Sequence, residues 1–220
     1  MDTAHVSLCT MHLLASGFAR YQCQKDLAIG LSLSNLAKIL KCASNDDSIT
    51  LQCSESGPDT CAFTFESNMS GKVSEFEFKL MDIDSENLNI PDLAYDANLH
   101  LNSKQFRTII SDLAQLGDTC TISVTEKTVS FAVEGNLGSA QVTLKKNLDD
   151  KKDPDHVLIE MTKPVSISFA MHTLQHFTKA TQLSDVVHIC LSSDQPLMVE
   201  YTIPNIGFIK YYLAPKLDEV

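Results

Sequence analysis

The stretch LHLNSKQFRTIISDLAQLGDTCTISVT, residues 99–125, carries two kinds of hydrophobic spacing one after the other. In its middle, Phe106, Ile109 and Ile110 follow the i, i+3, i+4 spacing that buries one stripe of a helix. The residues before and after this helix alternate between apolar and polar side chains, as strands with one buried face do. The stretch therefore predicts a strand, an amphipathic helix and a second strand.

The same order of elements recurs in two other stretches. LSLSNLAKILKCASNDDSITLQCS occupies residues 31–54, and SISFAMHTLQHFTKATQLSDVVHICLS occupies residues 166–192. Leu33, Leu101 and Phe169 hold matching positions and are separated by steps of 68 residues. A near-constant step is typical of an internal repeat. The aspartates that precede the three outgoing strands are Asp47, Asp118 and Asp185.

The repeated unit predicts an α+β fold, in which helices on one side are layered against antiparallel sheets. Before the first repeat the chain has only two strand-like segments, 5–14 and 21–29, and no helix. Three repeats, where two would make a domain, predict a first domain that is incomplete at its start. The helices are predicted at 34–44, 103–116 and 171–181, and further strands at 63–65, 73–80, 120–124, 128–133, 141–144 and 199–203.

Composition limits the classes of protein that the chain can belong to. A hydrophobic share of 44% is typical of an ordered globular protein. No apolar run approaches the roughly 18 residues that span a bilayer, and the start has no signal-peptide pattern, so we expect an intracellular protein without a membrane partner. The seven cysteines form no C-x-x-C motif, which predicts reduced thiols.

Enzymatic motifs are weak. His172 and His176 have the i, i+4 spacing of a metal pair, but no H-E-x-x-H motif accompanies them, so no metal or cofactor is predicted. The acidic pairs at 46–47 and 149–150 are typical of loops. A cysteine hydrolase that uses Cys42 or Cys190 is an alternative, and it requires a histidine partner that the sequence does not place. We therefore predict no enzymatic activity and no catalytic residue.

Four segments together carry a resemblance to a known family. They are LSLSNLAKILKC (31–42), KLMDIDSENLNIPDLAY (79–95), FTKATQLSDVV (177–187) and KYYLAPKL (210–217). The chain resembles, over nearly its whole length, the proliferating cell nuclear antigen family, the DNA sliding clamps of eukaryotic replication. The resemblance implies a DNA clamp fold, in which three chains close a ring with helices lining the hole and antiparallel sheets outside.

The resemblance also implies a domain organisation and a cellular role. An incomplete N-terminal clamp domain covers 1–80, an interdomain connecting loop covers 81–98, and a C-terminal clamp domain with its tail covers 99–220. The implied protein is a nuclear homotrimer that encircles duplex DNA without sequence specificity. It acts as a processivity factor and docks the replicative DNA polymerase, the clamp loader and other PIP-box proteins of replication and repair.

The family's partner pocket explains the apolar end of the chain. In such clamps, an early strand, the connecting loop and the C-terminal tail form a hydrophobic pocket for a motif with a glutamine, an aliphatic residue and two aromatics. A few apolar anchors supply most of the energy in recognition of this kind. The matching residues are Met1, His5, Val6, Leu8, Leu88, Ile90, Pro91, Pro196, Tyr212, Ala214, Pro215 and Leu217.

The charge is segregated in a way that suits a clamp. The net charge is −11, yet the predicted helices carry several basic residues and only one acidic residue, Asp112. A ring built this way is basic inside and acidic outside, which favours DNA only in the hole. The middle helix has Thr108 and Ser111 where the family has basic groups. The residues expected to bind DNA are Lys38, Lys41, Lys104, Arg107 and Lys179.

Ring closure in the family pairs an edge strand of the first domain with one of the second domain in the next chain. The matching segments are 73–80 and 138–144, in which apolar and polar residues alternate. An alternative is a truncated clamp that binds partner peptides without encircling DNA. The residues expected at the subunit interface are Phe76, Phe78, Leu80, Ala140, Val142 and Leu144.

Overall fold

The computed structural model describes residues 6–54, 59–82, 94–146 and 156–216. The chain forms two compact units. Unit 1 combines Met1–Tyr21 with Pro91–Val220, and unit 2 is Gln22–Ile90. The first strand thus lies with the C-terminal part of the chain, whereas the sequence-based division at residue 80 assigns it to the N-terminal domain.

Unit 1 contains ten strands, two α-helices and two 3-10 helices in its described part. One 3-10 helix, Thr178–Leu183, directly continues the second α-helix. The strands are β1 (Ser7–Leu13), β5 (Ala97–Asn102), β6 (Thr119–Val124), β7 (Thr128–Gly135), β8 (Gly138–Lys145), β9 (Leu158–Met161), β10 (Val165–Ala170), β11 (Val186–Leu191), β12 (Leu197–Ile203) and β13 (Gly207–Leu213), and the α-helices are α2 (Ser103–Leu113) and α3 (Met171–Phe177).

The strands of unit 1 form two antiparallel sheets, and each sheet contains strands from both repeats. One sheet has the order β1-β13-β12-β11-β5-β9 and the other β10-β6-β7-β8. The incoming strand of each repeat pairs with the outgoing strand of the other, β5 with β11 and β10 with β6. The backbone N–H of Ser103 donates to the Asp185 carbonyl at 2.8 Å, and that of Met171 donates to the Asp118 carbonyl at 3.0 Å. These matching contacts show that the residue before each outgoing strand holds the same place in both repeats, and they involve backbone atoms only.

The core of unit 1 lies between the helices and the sheets. Phe106, Ile110 and Leu174, on the inner faces of α2 and α3, are fully buried. They pack in one hydrophobic cluster with strand residues such as Leu101 and Phe169. The Asn102 side chain caps α2 by accepting hydrogen bonds from the backbone amides of Lys104 and Gln105. The α+β fold with antiparallel sheets is therefore confirmed.

Unit 2 consists of one helix and one three-stranded antiparallel sheet in its described part. The helix α1 spans Leu33–Leu40, and the strands are β2 (Asp47–Cys53), β3 (Thr60–Ser67) and β4 (Val73–Lys79), in that order in the sheet. No residue of α1 is buried, and Ile49 and Leu51 of β2 are about half exposed. β2 is an edge strand, whereas β11, its counterpart in unit 1, is paired on both sides.

Two sequence-based predictions for the N-terminal half are wrong. The strand expected at 21–29 is absent, and that part of the chain contributes only an isolated bridge between Gly30 and Met81. Leu33 begins α1 instead of ending a strand, because its helix-capping neighbour Ser32 accepts a hydrogen bond from the Asn35 amide. The remaining helices and most strands lie where the periodicity predicts them.

The prediction of reduced thiols is also wrong for one pair. Cys53 and Cys61 form a disulfide between β2 and β3. They face each other directly in the strand register, with a Cα–Cα distance of 4.4 Å that lies at the short end of the usual range for a bridge. The sequence separates them by eight residues, and only the hairpin pairing brings them together.

Candidate functional site

The pairing of β1 with β13 brings the first strand of the chain against its last strand. Leu8 lies directly opposite Tyr212 in the register. The backbone N–H of Ala214 donates to the Val6 carbonyl at 2.8 Å, so the pairing continues past the end of β13. The apolar segment that ends β13 is therefore held in unit 1, and four of the predicted pocket residues lie on or directly beside these two neighbouring strands.

Pro196 joins the same neighbourhood through β12. It precedes Leu197, which pairs with Leu213, so it lies at the end of the β12–β13 hairpin where the tail begins. Ala214 and Pro215 are half-buried there, and Val6 is exposed. The structure thus brings together Val6, Leu8, Pro196, Tyr212, Ala214 and Pro215. The pocket residues predicted at Met1, His5, Leu88, Ile90, Pro91 and Leu217 lie outside the described residues.

The sequence did not assign two further residues to this region. Met198 lies opposite Tyr212 on β12, and Cys190 lies opposite Met198 on β11, so all three side chains share one face of the sheet with Leu8. Met198 and Cys190 are nearly fully buried and form the floor of the region. In the sequence they are ordinary strand residues, and only the register assigns them to the site.

A tyrosine near the same floor has a perturbed hydroxyl. Burial raises the pKa of Tyr95, and the neighbouring Cys190 and Tyr212 raise it further. The hydroxyl has no hydrogen-bond partner among the described residues. Tyr95 is therefore a neutral, largely apolar contributor to this region.

The tail beyond the site is attached to the second sheet of unit 1. The Lys216 N–H donates to the Ser168 carbonyl on β10 at 2.8 Å, and its ammonium donates to the Thr119 hydroxyl on β6 at 2.6 Å. These contacts could not be predicted from the sequence, since polar residues on different strands carry no periodic signal.

The cysteine-hydrolase alternative acquires a histidine in the structure, but not a reactive thiol. The Cys190 sulfur lies 3.1 Å from Nε2 of His188. Cys190 is only 2% exposed, and burial raises the pKa of its thiol to about 12. A thiolate nucleophile needs a lowered pKa and access to substrate, and this pair has neither. Cys42, the other candidate, is exposed and contacts the Lys38 carbonyl rather than an imidazole.

The environment of His188 predicts that the stability of unit 1 falls in mild acid. Its ring stacks on His100 with the centroids 4.3 Å apart. Burial lowers the pKa of His188, with His100 and Lys210 acting in the same direction and Glu200 and Glu160 opposing. Because its pKa is lower in the folded chain than the usual value of about 6.5, stability is fully present above that value and is lost as the pH falls through it.

We therefore expect the midpoint of urea unfolding, followed by circular dichroism, to fall between about pH 7.5 and about pH 5.5. His188→Gln should flatten this dependence, because it removes the titrating ring. His176→Gln removes an exposed imidazole from α3 and serves as the matched control. Equal pH dependence in His188→Gln and the unmodified chain would contradict the assignment.

The helices of unit 1 present the predicted DNA contacts to solvent. α2 and α3 pack side by side. Lys104 and Arg107 are exposed on α2, and Lys179 is exposed on the 3-10 helix that continues α3. Lys104 also lies 3.9 Å from Asp185, and both side chains are largely exposed. A surface pair of this kind contributes only about 0–1 kcal/mol and leaves the lysine able to exchange partners. Thr108 occupies the same face, as the sequence indicated.

Lys38 and Lys41 belong to unit 2. Lys38 lies in the last turn of α1 and Lys41 directly follows the helix, and both are exposed. Leu36 and Ile39, on another side of the helix, are half-buried. The predicted separation of a basic face from an apolar one is therefore present in the helix.

The predicted ring-closing strands lie at sheet edges. β4 is the edge of the sheet in unit 2, and β8 is an edge of the four-stranded sheet in unit 1. Ala140, Val142 and Leu144 pack on the core from β8, and Phe76 and Phe78 are half-buried on β4. Leu80 lies just past β4, where its amide donates to the Asp59 carbonyl.

Metal and membrane sites receive no support from the structure. Across the described ranges, no group of three or more His, Cys, Asp or Glu side chains is placed to hold a metal ion. His172 and His176 meet edge to face, with their ring centroids 6.3 Å apart. Among the same residues, no helix is long and apolar enough to cross a membrane.

Comparison with protein families gives two matches that together span most of the chain. Residues 1–88 match the family model described as proliferating cell nuclear antigen, N-terminal domain. Residues 89–216 match the model described as proliferating cell nuclear antigen, C-terminal domain. The junction between the two matches falls within the segment predicted to connect the domains.

Proposed function

The chain belongs to the proliferating cell nuclear antigen family of DNA sliding clamps, and from this premise we propose that three copies close a ring around duplex DNA in the nucleus. The ring would act as a processivity factor and as a docking platform for the replicative polymerase, the clamp loader and other proteins with the glutamine-and-aromatics motif. It would hold these partners at DNA without carrying out chemistry itself.

The observation that carries the proposal is the pairing of β1 with β13. β13 is the third strand after α3, and β4 is the third strand after α1, so the two hold equivalent places in the repeat. β1 is the last strand before the first repeat. β8 holds the same place before the third repeat, with only the short β9 lying between them. Since β1 and β13 pair within the chain, their equivalents β8 and β4, both open at one edge, are suited to pair between copies.

The head-to-tail nature of such a contact favours a closed ring. β8 of one copy would meet β4 of the next, so each copy uses two different surfaces. A heterologous contact of this kind generates a ring when its rotation closes, and the family supports three copies. Unpaired strand edges otherwise aggregate, which gives both strands a reason to be covered.

The DNA-binding role is supported by the exposed basic side chains on the helices. Phosphate contacts from lysine and arginine carry no sequence information, which suits a protein that must slide. Against the net charge of −11, the exposed side of α2 and α3 holds Lys104, Arg107 and Lys179 with the single helical acid Asp112. The negatively charged backbone of duplex DNA would therefore lie against this local basic surface.

An experiment with three lysines tests DNA binding. Replacing Lys38, Lys41 and Lys179 with alanine should weaken association with duplex DNA equally for all sequences. It should also reduce the slope of log affinity against log salt by up to about 3, roughly one for each lost phosphate contact. Fluorescence anisotropy over a salt series, with covalently closed duplexes of different sequence, measures both the affinity for each sequence and its dependence on salt.

The matched control replaces Lys25, Lys72 and Lys127, three exposed lysines outside the helices, so that the total charge changes equally. An equal loss in the control would assign binding to overall charge and reject the helical surface. A loss that depends on sequence would indicate base recognition and reject sliding.

A specific observation favours a second candidate, a clamp-like protein that binds partner peptides without encircling DNA. α1 has no buried residue, and the outer edge of β2 is unpaired with Ile49 and Leu51 exposed. Unit 2 therefore supports β4 less firmly than unit 1 supports β8. Persistent monomers together with intact peptide binding would favour this candidate over the ring.

A further inference from the structure

The tail segment Ala214–Lys216 connects the two sheets of unit 1. The Ala214 amide is bonded to Val6 on the edge of the six-stranded sheet, and Lys216 is bonded to β10 and β6 of the four-stranded sheet. The three residues therefore cross from one sheet to the other. Two of them, Ala214 and Pro215, are predicted to contact the partner peptide.

The backbone alone holds the tail weakly. Pro215 has no N–H, so it cannot donate a hydrogen bond to either sheet. After Ala214, the next donor is the Lys216 amide, which reaches the Ser168 carbonyl at 2.8 Å. Beyond Lys216 the chain passes out of the described residues, so the contacts of Lys216 are the last ones recorded for the tail.

The Lys216 side chain adds a second, independent attachment. Its ammonium donates to the Thr119 hydroxyl at 2.6 Å, across 97 residues of sequence. Thr119 is the first residue of β6 and lies opposite Ala170, the last residue of β10. The bond joins the tail to the same two strands that the Lys216 amide meets. Hydrogen bonds from a charged donor are stronger than those between neutral groups.

We infer that Lys216 and Thr119 are positioning residues for the partner pocket, which they support without contacting the ligand. They hold Ala214 and Pro215 in the bound conformation before the peptide arrives. When the binding-competent conformation is populated only part of the time, the apparent affinity falls in proportion to that populated fraction. A loosened tail therefore lowers the apparent affinity for the peptide. This inference rests on the peptide-docking part of the proposed function.

Matched substitutions separate positioning from charge. Thr119→Val removes the accepting hydroxyl at nearly constant shape and without a change of charge, and Thr119→Ser keeps the hydroxyl. Lys216→Ala removes the donor, and Lys216→Arg keeps one. Lys127→Ala removes one exposed positive charge from the turn between β6 and β7 and controls for electrostatics.

The probe is a synthetic peptide with the glutamine, aliphatic and double-aromatic motif, measured by calorimetry against the full chain. We expect Thr119→Val and Lys216→Ala each to weaken binding about threefold to tenfold, the worth of one solvent-exposed hydrogen bond. The double variant should be no weaker than either single one, because both remove the same bond. Thr119→Ser, Lys216→Arg and Lys127→Ala should bind nearly as the unmodified chain does.

Hydrogen exchange followed by mass spectrometry supplies a readout that is independent of the ligand. In Thr119→Val and Lys216→Ala, the amides of Ala214 and Lys216 should exchange faster, while the thermal midpoint of the chain stays unchanged. Unaltered exchange at these amides would overturn the inference even in a chain that binds no peptide. Normal peptide binding by both variants would also overturn it and leave the docking function intact.

Discussion

Glu77→Pro is expected to convert the assembled protein into monomers. Residues that are bonded to a neighbouring strand alternate along an antiparallel edge. The Leu80 amide donates to Asp59, and the Lys72 carbonyl accepts from Ser67, so the even-numbered residues of β4 face β3. The N–H of Glu77 therefore points to the open edge, where a neighbouring copy would pair.

Proline at this position removes a ladder donor from the interface and leaves the β3–β4 ladder its own bonds. The loss of one bond and of the close strand approach should cost about 1–3 kcal/mol per contact. This corresponds to roughly 5- to 150-fold in the dissociation constant of each contact. All contacts of a closed ring carry the change, so the trimer should be lost at working concentrations. Light scattering over a dilution series measures the mass.

Glu77→Thr is the matched control, since it removes the same charge but keeps the N–H and suits a strand. It should assemble as the unmodified chain does. The reciprocal variant on β8 is Thr143→Pro, because the Lys146 amide donates to β7 and the odd-numbered residues of β8 therefore face outward. Trimers that persist in both proline variants would place the interface elsewhere. Monomers in the unmodified chain at every concentration would support the peptide-binding alternative.

The choice of Glu77 illustrates what the sequence could and could not predict. Alternation identified β4 and β8 and the apolar faces of Phe76 and Val142. It could not tell which backbone amides point to the open edge, because that depends on the pairing of each strand with its inner neighbour. Phe78, an apolar position that suits the interface by pattern, has its amide directed to β3. A proline there would damage the sheet of unit 2 itself.

The fold was predictable for a similar reason. The helical stripes of α2 and the steps between Leu101 and Phe169 reflect burial, and burial leaves a periodic trace in the sequence. Residues 21–29 have apolar content without a partner strand, so the predicted strand does not form. The Cys53–Cys61 bridge and the Lys216–Thr119 bond depend on which residues meet across strands, and such contacts leave no local pattern.

The candidate pocket was predictable only through the family resemblance. Nothing in the pattern of residues 5–14 indicates that this segment pairs with β13, yet that pairing places Leu8 beside Tyr212. The floor residues Met198 and Cys190 were not assigned to the pocket even by the resemblance. The part of the pocket that lies in the connecting segment, including Ile90, falls outside the described residues and remains a prediction.

Removing the tail after Leu213 is expected to abolish binding of the motif peptide. The cut must follow Leu213, since this residue is 2% exposed and pairs with both Ser7 and Leu197. Without residues 214–220 the pocket loses the apolar surface of Ala214 and Pro215 and everything beyond them. Each lost apolar anchor is worth about 1–3 kcal/mol, so the loss of two or more corresponds to at least about 30-fold in affinity.

Calorimetry with the synthetic peptide measures this effect, and Ile90→Glu should reproduce it by placing a charge where the family's loop contributes an apolar contact. The matched control is Ile206→Glu, an equally drastic change at an aliphatic residue that is 40% exposed in the turn between β12 and β13, at the opposite end of the hairpin from the tail. A second control peptide has both aromatics replaced by alanine and should bind none of the variants.

The truncated chain should keep the thermal midpoint of the unmodified one to within a few degrees, because the pairing of β1 with β13 ends before the cut. Of the described tail contacts, the cut removes the Ala214 bond and the two Lys216 bonds but no strand of either sheet. Lost binding with an intact fold would then assign recognition to the tail, and the smaller effects of Thr119→Val and Lys216→Ala would measure how far its positioning matters. Undiminished binding by the truncated chain would reject the pocket, since the truncated chain lacks Ala214, Pro215 and Leu217, which are predicted to contact the peptide.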